Sequence, residues 1–172
     1  MKRGFLIILM FATLSAAGQR TEVMKPTSSF TISGDVKSPA TIQIADLKKW
    51  NAVNIGDVGI TNHLGEKKSD AKGLKGILLK EILASVEINA ESPKILSEYY
   101  FVCKANDNYT VVYSWNEIFN SAVGESCYII TEREGKPASA MDDSILMISS
   151  KDKATGRRYV KSLSAIEVKR AK

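Results

Sequence analysis

His63 is the chain's single histidine, and it sits in the polar run Thr61-Asn62-His63-Leu64-Gly65-Glu66-Lys67-Lys68 among hydroxyl, amide and charged groups. Imidazole is the side chain whose ordinary pKa lies near neutrality, so His63 can act as an acid, a base or a ligand. No second histidine and no nucleophile accompanies it, so Asn62 and His63 are candidate ligand contacts set against the plainer reading of loop surface. Arg157, Arg158 and Lys161 make a basic stretch able to meet an anion, although clustered charge on a loop commonly just faces water. Cys103 and Cys127 lie in apolar segments with no CxxC or metal-ligand spacing, so they read either as one bridge or as two buried thiols. Asp107, Tyr109 and Glu117 fall at hairpin and helix ends, where turn formation and capping account for them. Asp142-Asp143 can touch a cation weakly or simply start a strand.

These residues need elements to position them, and the most organised stretch is Lys72-Gly73-Leu74-Lys75-Gly76-Ile77-Leu78-Leu79-Lys80-Glu81-Ile82-Leu83. Leu79, Ile82, Leu83 and Val86 recur at helical spacing and predict a helix whose apolar stripe packs on a sheet. Gly73 and Gly76 read as a sharp turn, or a close backbone approach, just before that helix. A glycine-rich helix entry suits phosphate, but only two residues separate these glycines and Ile77 follows, which is not P-loop spacing.

Around this stretch strands dominate. Phe30 and Ile32 alternate with Thr31 and Ser33, and Thr41 to Ile44 follows a Ser38-Pro39 turn. Ala45 to Trp50 switches to helical spacing. Ala52 to Ile60 alternates around Gly56, which predicts a bulged strand leading to the long polar loop that carries His63. Ser97 to Lys104, Tyr109 to Tyr113 and Cys127 to Thr131 are rich in β-branched and aromatic residues and read as antiparallel neighbours in the main sheet. Ser114-Trp115-Asn116-Glu117 is a capping box opening a short helix. Ile145 to Ile148 and Ala165 to Val168 are further strands. The expected class is α+β, with a mixed, largely antiparallel sheet and a few short helices.

Residues 1–18 carry Lys2 and Arg3, an apolar run from Phe5 to Leu14 and small residues before Gln19, the pattern of a cleaved secretory signal peptide. The run is too short for a stable membrane helix. Residues 19–28 read as a flexible leader and 29–169 as one domain. The whole chain is 44% hydrophobic with net charge +5, and removing Lys2 and Arg3 leaves +3 (5 − 2), a mildly basic periplasmic or secreted protein. Basic residues without aromatic interleaving argue against nucleic acid.

Five segments, in order, resemble the oxidoreductase molybdopterin-binding domain, the sulfite-oxidase-like fold. Phe30-Thr31-Ile32-Ser33-Gly34-Asp35-Val36 with Ser38-Pro39 and Ile44-Ala45-Asp46-Leu47 is similar to its first strand, turn and helix. Lys72 to Leu83 resembles its "W-x-G-V-P-L-x-D-L-L" stretch, Asp107-Asn108-Tyr109 its "D-G-Y" hairpin, Arg133 to Pro137 its "x-x-D-G-x-P" turn, and Tyr159 to Val168 its terminal "V-K-W-L-x-x-I-x-V". The resemblance implies that scaffold, with Arg157, Arg158 and Lys161 on the loop that approaches the cofactor's phosphate. It also implies a metal-ligating cysteine between Val53 and Gly65, and none is there; Thr61, Asn62 and His63 offer only harder donors. The family's tryptophan and proline positions are Lys72 and Ile77. The expectation is therefore an exported domain without metal chemistry or molybdopterin, which binds a small ligand or another envelope protein. The alternative is a molybdopterin oxidoreductase with an atypical metal site.

Overall fold

A two-residue alternation builds the first sheet. In β1 (Ser29–Gly34) Phe30 and Ile32 are buried while Thr31 is exposed, so one face of the strand meets the core. The computed structural model describes residues 25–171; the expected signal peptide, and the expected leader up to residue 24, lie outside them. β1 pairs antiparallel with β2 (Ala40–Gln43) and parallel with β10 (Leu163–Arg170). β10 pairs antiparallel with β5 (Tyr99–Ala105), which pairs with β6 (Thr110–Ser114).

A second sheet runs in the order β3 (Val53–Thr61), β4 (Lys67–Leu78), β7 (Cys127–Arg133), β8 (Lys136–Pro137), with β9 (Leu146–Ser149) also paired to β7. All of its pairings are antiparallel, so the molecule has the expected mixed, largely antiparallel α+β architecture. The single main sheet expected for the strands at 97–104, 109–113 and 127–131 is corrected: the first two pair, while Cys127–Arg133 belongs to the second sheet. Its partner there is β4, with Ile129 opposite Ile77 and Ile130 opposite Gly76. A Cβ on Gly76 would stand 2.8 Å from the Ile129 carbonyl oxygen, so the glycine permits the close approach.

Lys72 to Ile77 is accordingly not a turn but the end of a twelve-residue strand. Gly73 adopts φ of 55°, and its amide donates to the Asp57 carboxylate at 2.8 Å. Gly56 adopts φ of 80° at a shift in the β3–β4 register, the bend expected there. The helix that follows, α1 (Leu79–Leu83), is shorter than its apolar stripe: Leu79, Ile82 and Leu83 are buried in it, and Val86 packs on the same core from the turn beyond. A 3-10 helix spans Ile44–Lys49, burying Leu47. α2 (Trp115–Phe119) starts at the expected capping box, with the Ser114 hydroxyl accepting from the Glu117 amide at 3.1 Å and the Glu117 carboxylate accepting from the Ser114 amide at 2.8 Å.

The core divides along β9, buried at every position, and the first half of β7, where Cys127, Ile129 and Ile130 are buried. Cys127, Ile129 and Met147 join the large cluster against the first sheet, while Ile130, Leu146 and Ile148 join a smaller one with Val58, Leu74 and Met141. Residues 25–28 differ from a loose leader because Thr27 knits them to the domain. Its hydroxyl donates toward the Leu163 carbonyl at 2.8 Å and accepts from the Ile145 amide at 2.9 Å.

Candidate functional site

Asn62 and His63 sit at the tip of the β3–β4 hairpin. What read as a long polar loop is a tight turn, because Thr61 ends one strand and Lys67 begins the next. Asn62 holds that turn: its side-chain oxygen accepts from the Leu64 and Glu66 amides, both at 3.0 Å, and its amide group donates to the Glu66 carboxylate at 2.9 Å. The local fold thus occupies the Asn62 side chain. His63 is exposed at the tip.

Facing this tip is the segment from Asp152 to Lys161, and a pair of threonines joins them. The Thr61 amide donates to the Thr155 hydroxyl at 2.9 Å, the Thr155 amide donates to the Thr61 hydroxyl at 3.1 Å, and the Thr155 hydroxyl reaches the Gly59 carbonyl at 2.7 Å. Gly156 makes the joint possible, since a Cβ there would stand 2.7 Å from the Thr61 carbonyl oxygen. The structure therefore brings the two halves of the sequence-predicted site side by side.

Their side chains point to different tasks. Arg158 turns inward: its Nε and Nη2 donate to the Asp152 carboxylate at 2.5 and 2.6 Å, its Nη1 donates to Glu117 at 3.0 Å, and its guanidinium lies 4.5 Å over the Tyr113 ring. Two carboxylates and an aromatic face leave it little capacity for a further anion. Lys161 pairs with Asp143 at 3.2 Å, and Arg133 holds the same carboxylate in a fork at 2.8 and 3.1 Å. Burial works against the Asp143 charge, but those bonds outweigh it and keep the carboxyl below its usual range. Arg157 is exposed, and its carbonyl accepts from the Tyr109 hydroxyl at 2.7 Å. Between the turn at 107–109 and residues 159–161 a depression of about 160 Å³ is lined by Asp107, Tyr109, Tyr159 and Lys161, with no residue of the hairpin tip.

The soft donors are elsewhere. Cys103 and Cys127 are free thiols on different sheets, both without solvent exposure in the large core. Burial pushes the Cys103 thiol up, and it pushes Cys127 up to about 12 against the pull of the Tyr113 hydroxyl and Arg158. The buried Tyr113 hydroxyl has no well-formed hydrogen bond of its own. A thiolate is the form that binds metal, so neither sulfur suits that role. Among the described residues no group of three His, Cys, Asp or Glu side chains is placed to hold a metal ion. The donor set around Thr61, Asn62 and His63 does not fit a molybdopterin metal held through a protein thiolate, and Arg158 is not available for the cofactor's phosphate.

A further depression was not legible in the sequence. A cleft of about 670 Å³ opens between Pro26–Ser28, the start of the 3-10 helix at Ile44, and the loop from Ser139 to Ser144. It shares no residue with the set at 62–63 and 157–161. The signal that could have found it was Thr27, a hydroxyl in a stretch otherwise read as leader.

No protein-family model and no curated protein matches the chain. Among solved structures it is similar in fold to the sulfane dehydrogenase SoxCD from Paracoccus pantotrophus, with a TM-score of 0.56 at 9% sequence identity. The match covers 85% of this chain and 40% of that one, so the chain spans less than half the length of its structural neighbour. The likeness shows a distant molybdopterin-oxidoreductase-like fold and nothing narrower.

Proposed function

We propose that this chain is an exported binding module on a molybdopterin-oxidoreductase-like scaffold, without the metal chemistry of active enzymes, and that it binds a small ligand or another envelope protein. One observation carries the reading: the groups that could grip a metal cofactor are committed to the fold. Both thiols are closed in the core, and Arg158 is neutralised by Asp152 and Glu117. The remaining side chains of the hairpin site, His63 and Arg157, are exposed and suit contact with a ligand or partner better than coordination of a soft metal. Export is supported by the sequence of residues 1–18.

The second reading, a molybdopterin oxidoreductase with an atypical metal site, is favoured by the likeness to a sulfane dehydrogenase. Pterin fluorescence separates the two. The protein is purified from its native compartment in cells that make molybdopterin, denatured and oxidised. Binding without the cofactor predicts no pterin above that of a control protein, whereas one pterin per chain would establish the second reading.

A further inference from the structure

The 670 Å³ cleft does not stand alone. A second depression, of about 230 Å³, shares its Ile44, Lys48 and Ser139 wall and continues past Trp50 and Pro137. Together they form a two-lobed trough across the seam between the sheets, overhung by the 3-10 helix Ile44–Lys49. Its floor is apolar: Met141 is buried there and Ile44 is partly buried between the two core clusters. The larger lobe lies in the size range of small-molecule sites, with Ile44, Ala45, Met141 and Pro26 giving it apolar surface among hydroxyl and amide groups.

Charge decides what such a trough would take. The lining of neither lobe includes an Asp or Glu, and the cation in both is Lys48. The nearby carboxylate of Asp46 is engaged by Lys49 at 2.7 Å and by the Gln43 amide at 3.0 Å. Lys48 therefore enters no ion pair among the described residues, and its exposed side chain lines both lobes, as does that of Ser139. A single cation at the wall favours one negative charge on the ligand over two.

We infer that the trough is a binding site for an amphipathic monocarboxylate, its carboxylate on Lys48 and its apolar body on Ile44 and Met141. The inference deepens the binding reading above by naming a ligand class, and it depends on no property of the hairpin site or of the thiols.

Trp50 lines the smaller lobe and reports on occupancy by its fluorescence. The purified protein is titrated with decanoate below its micellar concentration, with decanol and decyltrimethylammonium as comparators. Saturable decanoate binding is expected, with decanol weaker by about tenfold or more and the cation weaker still. Lys48→Glu should lose decanoate binding by at least about tenfold at unchanged melting temperature, while Lys94→Glu, on the 3-10 helix Pro93–Glu98, should bind as the parent does. Absence of saturable binding, equal binding of decanol, or full affinity in Lys48→Glu would each overturn the inference. None of those outcomes bears on pterin content, so this claim and the broader one fail separately.

Discussion

Arg158 shows how a residue can look like a ligand contact and act as a tie. Its partners lie six and 41 positions away, in Asp152 and Glu117, so the inward turn depends on tertiary placement that a basic run cannot reveal. Removing one partner of a largely buried pair strands the other charges. Arg158→Ala is expected to cost roughly 2–4 kcal/mol by urea denaturation, and Arg157→Ala less than about 0.5 kcal/mol; equal costs would contradict the assignment. The thiols give a second residue-scale test. Neither Cys103 nor Cys127 should react with a thiol reagent at pH 8 in the native protein, and both should react after denaturation, whereas a bridge would yield none without reductant. Asp143 gives a third. Its carboxyl is held below the ordinary value of 3.8, so the stability it supplies is complete above that pH and is lost as pH falls through the lower, folded value. Asp143→Asn should flatten the acid limb of the unfolding free energy below about pH 4, and an unchanged limb would show that the fork with Arg133 contributes nothing.

At the scale of elements, the pairing of the β3–β4 hairpin with the loop at 152–161 is the feature that builds the hairpin site. Periodicity gave the strand before Gly56, the bulge at that glycine and the capping box at Ser114, because each is set by residues close in sequence. It left Gly76 open between a turn and a close approach, since a glycine needed for either looks the same in sequence, and the turn before the helix proved to be strand. Two glycine substitutions test the joint. Gly156→Ala would push a methyl group to 2.7 Å from the Thr61 carbonyl, so it is expected to cost roughly 1–3 kcal/mol and to speed hydrogen exchange at the Thr61 amide. Gly59→Ala, where the nearest atoms stand 3.9 Å away, is expected to gain about 0.5 kcal/mol. Slow Thr61 exchange in Gly156→Ala would show that the threonine pair does not depend on that approach.

For the whole molecule, the class of fold was legible because strand segments outnumber helical ones and do not alternate with them. The division into two sheets was not. It rests on β7 choosing β4 as partner, and local alternation says that Cys127–Arg133 is a strand without saying beside which. The same limit hid the trough, whose walls come from residues 26–28, 43–52 and 131–144. Export is testable at this scale: intact mass of the protein recovered from an envelope fraction should lack residues 1–18, and a full-length mass there would contradict signal cleavage. The central claim is that the scaffold persists while its soft metal ligand is gone. Molybdenum per chain, measured on protein isolated from its native compartment in molybdopterin-competent cells, tests this most directly: the account predicts background levels, and one tightly held molybdenum per chain would contradict it.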